Sequence, residues 1–332
     1  MLKFHTEDLS GKTFLVTGGA GFIGSHIVTY LLQHGAKKVR VLDNLSTGFE
    51  NNLAPFSAYP AFEFMPGDIR NYKTCEEACE GIDYITHQAA LGSVPRSVKD
   101  PVTTHDVNAT GFLHMLTAAK NAGVKAFVYA SSSSVYGDEP NLPKVEDRIG
   151  NPLSPYAVTK KSNELYATVF GNLYGIKTIG FRYFNIFGPR QDPDGPYAAV
   201  IPLFVSGILK DGPVYINGDG QQTRDFTYVD NAVQANIRGM LCSNDEAFGK
   251  VYNIAVGENF SVQYLYESIR AQLGLPHEAT YREERAGDIR NSLADISLAQ
   301  NLLGYQPTER FEDGLKKTVA FFNEMYSESL VK

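Results

Sequence analysis

A strand, a glycine-rich turn and a helix follow one another near the start of this chain, and that order restricts the fold more than any other feature. Thr13-Phe14-Leu15-Val16-Thr17 is a short apolar run that ends in Gly18-Gly19-Ala20-Gly21-Phe22-Ile23-Gly24. Apolar residues then recur at helical spacing, as Phe22, Ile23, Ile27, Val28, Leu31 and Leu32, up to Gly35. Val39-Arg40-Val41-Leu42-Asp43 is the next strand. Together these make a βαβ unit of about 30 residues, the length of one crossover between parallel strands.

The alternation continues. Strands are expected at Phe62 to Met65, Ile82 to Thr86, Ala126 to Ala130 and Thr178 to Tyr183, with helices at Tyr72 to Cys79, Pro101 to Ala122 and Tyr156 to Tyr174. The runs around Ile82 and Val128 are nearly continuous in apolar residues, as in parallel strands covered on both faces. The expected fold class is α/β: a Rossmann-like, doubly wound parallel sheet over residues 1–185. Past Asn185 comes a turn-rich stretch from Gly188 to Pro196, then shorter elements. Helices are expected at Val200 to Leu209, Asp230 to Leu241, Val262 to Leu273 and Phe311 to Phe322, and a small strand at Val214 to Ile216. Residues 186–332 therefore read as a smaller α/β lobe that exchanges segments with the first.

Charge and cysteine usage narrow the partners. A formal net charge of −7 argues against nucleic acid or an anionic membrane. It leaves room for a nucleotide ligand, since local arginines can bind a diphosphate within an acidic surface. The three cysteines, Cys75, Cys79 and Cys242, are too few and odd in number for a disulfide framework, which fits a reducing compartment. Cys75 and Cys79 share a helix face, yet no third ligand stands nearby, so buried thiols are favoured over a metal site and no metal is expected. Met1 to Ser10 has no apolar core of a signal peptide, and no apolar run is long enough to span a bilayer. A soluble cytoplasmic protein is the expectation.

The chemistry lies at the ends of strands. In the glycine turn, Gly18 permits the tight bend, Gly21 lets backbone approach a pyrophosphate, and Gly24 lets the helix pack on its strand. Asp43 ends the second strand about 20 residues on, where a carboxylate accepts from a ribose hydroxyl. Asn44, not Arg, follows it, which favours NAD over NADP. The bland alternative is a merely structural strand-turn-helix. Asp68, ending the third strand, is a candidate for the adenine or a plain strand-end cap.

Ala130-Ser131-Ser132-Ser133-Ser134-Val135-Tyr136-Gly137 places hydroxyls at the carboxyl edge of a buried strand, where open α/β sheets bind ligands. About 20 residues later, Tyr156 and Lys160 stand four apart, on one helix face. Ser154 fits the N-cap and Pro155 the first helical position. The ammonium can lower the pKa of the phenol and make it a proton-transfer group near neutral pH. A lone pair at this spacing is often a surface pair; in this order, after a glycine turn and a serine-rich strand end, it is specific.

These residues resemble the extended short-chain dehydrogenase/reductases, in particular nucleotide-sugar 4-epimerases. The likeness runs from Thr13 to about Tyr305. Besides the glycine turn and the Tyr156/Lys160 pair, it is carried by His87-Gln88-Ala89-Ala90, Ser132 to Gly137 and Arg182-Tyr183-Phe184-Asn185-Ile186-Phe187-Gly188-Pro189. Arg224-Asp225-Phe226 and Gly287-Asp288 continue it.

The resemblance implies tightly bound NAD. Its candidate contacts are Gly18, Gly21, Phe22, Ile23 and Gly24; Asp43, Asn44, Ser46, Thr47 and Gly48; Asp68 and Ile69; Gln88, Ala89, Ala90 and Asn108; and Tyr156, Lys160 and Tyr183. It implies that Tyr156 takes the proton of the sugar 4-hydroxyl while hydride leaves carbon 4. The keto sugar then turns over and the hydride returns to its other face. Lys160 would support the phenolate and bind the nicotinamide ribose; Ser132, Ser133 and Ser134 would serve the hydroxyl. Dehydratases of the family carry an Asp-Glu pair where Ser133 and Ser134 stand, and decarboxylases a Glu at Ser134, so simple epimerisation is favoured.

For the UDP part, the resemblance points to Arg224 and Arg285 on the diphosphate, Asp288 on the uridine ribose and Tyr215 against uracil. Asn185 and Val200 are further contacts. Gly92, Ser93 and Gln191 would line the sugar site with Ser132 and Ser133. Ser292 stands where epimerases restricted to plain glucose and galactose carry Tyr, which leaves room for a 2-acetamido group. UDP-N-acetylglucosamine/UDP-N-acetylgalactosamine 4-epimerisation is therefore the leading reading. Epimerases of unmodified UDP-hexoses or UDP-uronic acids, a 4,6-dehydratase and a non-catalytic NAD sensor are the rivals. A homodimer is expected through Pro101 to Ala122 and Tyr156 to Tyr174.

Overall fold

The computed structural model describes residues 2–194, 198–284 and 290–330. Seven strands form one sheet: β1 (Thr13–Thr17), β2 (Lys38–Asp43), β3 (Phe62–Pro66), β4 (Tyr84–His87), β5 (Ala126–Ser132), β6 (Thr178–Tyr183) and β7 (Lys250–Ile254). They run parallel in the order β7-β6-β5-β4-β1-β2-β3. The chain winds outward from β1 to β3, then returns to β4 on the other side. That reversal opens a crevice between β1 and β4 at the carboxyl ends of the strands. Thr17 is in register with both Leu42 and His87, so Gly18, Asp43 and Gln88 emerge along one edge.

Alternation along β1 sorts the core into two layers. Phe14 and Val16 face a cluster with Ile27, Val28 and Leu31 of the Phe22–Gln33 helix and Val233 and Ile237 of the Val229–Met240 helix. Leu15 faces Phe112, Met115 and Leu116, with Ala167 of the Pro155–Tyr174 helix. A third cluster, with Phe204, Val205, Ile216, Leu265, Phe311 and Leu315, is the core of the smaller lobe.

β7 and the Val229–Met240 helix lie beyond residue 185; one completes the first sheet and the other covers it. Lys250-Val251-Tyr252-Asn253-Ile254 is too short and mixed to announce a buried strand. The expected Pro101–Ala122 helix is interrupted by a π-helical turn at Asp106–Thr110. Elsewhere the local signals hold. The Pro155–Tyr174 helix starts with the Ser154 hydroxyl accepting from the Ala157 N–H (3.2 Å) and ends at Gly175 in the left-handed region.

Among the described residues no helix is long and apolar enough to cross a membrane. Cys75 and Cys79 are buried, and burial pushes both thiols up to about 12. Among the described residues they join no cluster of metal-binding side chains.

Candidate active site

A cavity of about 840 Å³ follows the carboxyl edge of the sheet, within the range of sites for small ligands. Its floor is the glycine turn. Gly18 has φ +69°, and a Cβ there would lie 2.7 Å from the Ala89 nitrogen. A Cβ on Gly24 would run into the Gly18 carbonyl. No side chain caps the N-terminus of the Phe22–Gln33 helix, and its first turn holds no acid. Its unpaired N–H groups and positive dipole end are left to the cavity, which suits an anion.

At one end of the cavity, Asp43 accepts from the Ala20 N–H (3.0 Å) and the Leu45 N–H (2.8 Å). Burial lifts its pKa, and the two backbone donors oppose the lift. Asn44, Ser46, Thr47, Gly48, Asp68 and Ile69 line the same end. Asp68 is gripped by Arg70 (2.6 Å), which holds its carboxyl down at about 2, and it accepts from Asn44 (2.9 Å). On the opposite wall stand Gln88, Ala89, Ala90 and Tyr183. Asn108 is not on the wall. From the π turn it pairs with the backbone of Leu91 (2.7 and 3.1 Å) and reaches Thr159 (3.3 Å), tying the Leu91-Gly92-Ser93 loop to the helix of Tyr156.

Tyr156, Lys160 and Ser132 line the same cavity, and the hydroxyls of Tyr156 and Ser132 are paired. Lys160 is buried and donates to the Ala130 carbonyl (2.7 Å); its ammonium lies 5.9 Å from the centre of the Tyr156 ring. Burial lowers Lys160 to about 8. Burial raises the Tyr156 phenol, and the Ser132 hydroxyl acts in the opposite direction. Ser133 and Ser134 turn away into a short 3-10 helix and do not line the cavity. The Ser134 hydroxyl oxygen is buried without a hydrogen-bond partner. The helix of Tyr156 and Lys160 is clamped one turn further on. Glu164 accepts two bonds from Arg182 of β6 (2.9 Å each) and one from Ser131 (2.7 Å), all buried.

The other end is lined by Gly92, Ser93, Arg96, Asn185, Gln191 and Asp192. Backbone strain concentrates around the cavity, since Leu45 (φ 57°), Ser93 (φ 108°) and Asn185 (φ 38°) all sit in its wall. Gln191 donates to the Ile186 carbonyl (3.2 Å), while its amide oxygen is buried without a partner. Val200 begins a helix just past Ala198 and Ala199, which do line the cavity. Arg224 and Ser292 are neighbours through Thr223, whose N–H donates to the Arg290 carbonyl (2.9 Å) and whose carbonyl accepts from Ser292 (3.1 Å). Tyr215 lies under the Arg282 guanidinium, 3.0 Å from ring centre. These three are not part of the cavity wall: Tyr215 and Arg224 sit on short strands and Ser292 on irregular chain; Arg285 and Asp288 lie outside the described residues.

Residues 14–255 match the NAD dependent epimerase/dehydratase family. A UDP-glucose 4-epimerase of Mycolicibacterium smegmatis is 39% identical over 93% of this chain and 97% of its own. A UDP-N-acetylglucosamine 4-epimerase of Methanobrevibacter ruminantium, solved with UDP-N-acetylmuramic acid, superposes with a TM-score of 0.89 at 40% identity, over 95% of this chain and 99% of that one. A dTDP-glucose 4,6-dehydratase of Streptomyces venezuelae, solved with NAD, superposes with a TM-score of 0.88 at 32% identity, over 95% and 98%. The chain belongs to the NAD-dependent epimerase/dehydratase family. Its cofactor is NAD.

The cradle fits that dinucleotide: a Cβ at Gly18 or Gly24 would meet backbone, the uncapped helix end would suit the diphosphate, and Asp43 would accept from a ribose. NAD, when bound, supplies reversible oxidation at a substrate carbon. The chain's own part is to move a proton. Among the described residues two phenols line the cavity: that of Tyr183 is engaged with Gln88 and Asn236, and that of Tyr156 pairs with Ser132. A cation 5.9 Å from the centre of the Tyr156 ring, as Lys160 provides, would favour a phenolate there. Sequence reasoning did not single out Glu164, Arg96 or Asn236 for the site. Glu164 carried a signal, four residues past Lys160 on the same helix face; Asn236 carried none.

Proposed function

We propose that this protein is an NAD-dependent UDP-sugar 4-epimerase that interconverts UDP-N-acetylglucosamine and UDP-N-acetylgalactosamine. One observation carries the reaction class. At the end of β5, beside Tyr156 and Lys160, the chain presents hydroxyls and no carboxylate. The cavity-lining acids among the described residues are Asp43, Asp68 and Asp192, none of them on β5. Tyr156 can exchange one proton with one hydroxyl, whereas loss of water or carbon dioxide needs a further acid or base that β5 does not supply. The named 4-epimerases among the relatives support the same class.

Preference for the acetamido sugar rests on Ser292 and on the Leu91–Ser97 segment, with Gly92 and Ser93 at the sugar end. Ser292 is not part of the cavity wall, so its share in this preference rests on the resemblance, while Gly92 and Ser93 line the cavity. UDP-glucose/UDP-galactose is the second reading, favoured by the relative named for it. Purified protein incubated without added NAD should convert UDP-N-acetylglucosamine to its 4-epimer, faster than it converts UDP-glucose or UDP-glucuronate. Equal rates would remove the specificity proposal and leave the epimerase. A product lighter by one water would remove both.

The partner at the surface is proposed to be a second copy. Val98, Val102, Leu165, Val169 and Leu173 are exposed on adjoining helices, an apolar stripe that a two-fold contact would cover. Light scattering should give twice the 36.6 kDa chain mass.

A further inference from the structure

Asn236 is fully buried in the middle of the Val229–Met240 helix, surrounded by the apolar cluster that includes Val128, Ile179 and Phe181. A primary amide in such a place costs several kcal/mol unless its bonds are made. Here all of them are made, and three residues close a ring. The Asn236 amide nitrogen donates to the Tyr183 hydroxyl (2.7 Å) and to the Ala232 carbonyl (2.8 Å). The Tyr183 hydroxyl donates to the Gln88 amide oxygen (3.2 Å). The Gln88 nitrogen donates back to the Asn236 oxygen (3.0 Å) and to Thr86 (2.8 Å), and Thr86 donates to the same Asn236 oxygen (2.8 Å).

Each proton in the ring has one place to go. Asn236 uses both amide protons and both oxygen lone pairs, so its orientation follows from its partners. A closed network of this kind is stiff, because each bond polarises the next and its anchor, Asn236, is fully buried. Two of its members, Gln88 and Tyr183, are cavity wall, one after β4 and the other ending β6. Gln88 also touches the floor: its carbonyl carbon would lie 2.9 Å from a Cβ on Gly18. The anchor comes from the far part of the chain. Its helix follows the Thr227–Tyr228 strand, which pairs with Ile186–Phe187 just past Asn185.

We propose that Asn236 is a positioning residue for the NAD site: through Tyr183 and Gln88 it sets the distance between the β4 and β6 walls of the cavity. It rests on the NAD assignment alone and is independent of which sugar is turned over. Burial pushes the Tyr183 phenol well above its ordinary value, in keeping with a neutral donor locked in the ring.

The test uses the full chain, stripped of any co-purified dinucleotide, with NAD and UDP as separate probes. Asn236→Leu keeps the volume and removes every polar bond of the anchor. Its NAD dissociation constant should rise about tenfold or more, while that of UDP stays within about twofold. Tyr183→Phe removes only the ring hydroxyl and should show the same split in smaller measure. In the double variant the effects should not add, as expected for residues acting through one another. The proposal is overturned if folded Asn236→Leu binds NAD like the wild type, or loses NAD and UDP affinity alike. If Asn236→Leu does not fold, unchanged NAD affinity in Tyr183→Phe overturns it. Wild-type protein that binds no NAD would instead overturn the site itself.

Discussion

The two ends of the cavity, proposed for cofactor and for sugar, are built by different means. The cofactor end uses backbone: consecutive strand ends brought level by register, a turn that excludes any Cβ, and buried polar pairs behind the wall. The other end is lined by residues from two distant segments, Gly92, Ser93 and Arg96 from one and Asn185, Gln191 and Asp192 from the other. The first arrangement leaves no room for a side chain at Gly18 or Gly24. The second can change residue by residue and so can set which sugar is accepted. If this division is right, effects should shrink, and become more selective, from the first region to the second.

The largest effect belongs where the two ends meet. Tyr156→Phe removes one hydroxyl and leaves the cradle intact. Turnover should fall by about 10²–10⁴-fold, the usual contribution of a positioned acid/base group, with NAD content unchanged. Loss of NAD in parallel would mean that Tyr156 belongs to the cradle rather than to the chemistry, and the division would blur.

Next comes the clamp behind the catalytic helix. Glu164→Ala would leave the Arg182 guanidinium buried without its carboxylate, a loss of about 3–5 kcal/mol of stability by denaturant unfolding. Replacing both residues by apolar ones of similar volume should recover much of that stability. If single and double variants are equally unstable, the pair is not what holds the helix against β6.

How far each region can be read from sequence follows the same line. The glycine turn, Asp43, the hydroxyls after Ala130 and the Tyr156/Lys160 pair are legible because their neighbours in space are set by local geometry: a strand end, a turn, a helix face. The helix cap at Ser154 and the end at Gly175 are legible for the same reason. β7 is not, because Lys250–Ile254 is a strand only by virtue of the β6 edge it pairs with. Asn236 is not, because nothing near it in sequence indicates that Gln88 and Tyr183 lie beside it. The π turn at Asp106–Thr110 is hidden in a sequence that reads as unbroken helix. Arg224 and Ser292 could be proposed only by resemblance, and the contact through Thr223 that makes them neighbours spans nearly 70 residues of chain.

Acid should act on the junction between the two parts. His26, on the helix after the glycine turn, donates to the Pro189 carbonyl (2.9 Å) in the loop that follows β6. Burial, helped by Arg190, lowers its pKa from 6.5 to about 4. Protonation therefore favours the unfolded chain. The stability tied to the neutral ring is fully present above pH 6.5 and is lost as pH falls through about 4. The most it can account for is about 3 kcal/mol at 1.4 kcal/mol per pH unit. Buried Asp225 in the smaller lobe has the opposite sign. Burial raises it to about 7, so its contribution is present below 3.8 and lost as pH rises through 7. Comparison of His26→Gln with the wild type isolates the first effect. The variant should lose less stability between pH 6.5 and 4, and an unchanged slope would show that His26 is not the group that titrates.

The smallest effect should be the most selective. Ser292 is half-buried, and its N–H donates to the Thr223 carbonyl, a bond that any side chain at 292 leaves in place. Ser292→Tyr should thus fold normally and keep its NAD. A bulky ring there would crowd a 2-acetamido group and spare a 2-hydroxyl. Discrimination by filling an apolar pocket is worth about 1–3 kcal/mol, so the ratio of kcat/KM for UDP-N-acetylglucosamine to that for UDP-glucose should fall about 10–200-fold. The direction matters more than the size. A fall for both sugars alike would mean that Ser292 holds the nucleotide rather than the sugar. No change would place it outside the site and return the choice of sugar to Gly92, Ser93 and Gln191 at the cavity wall.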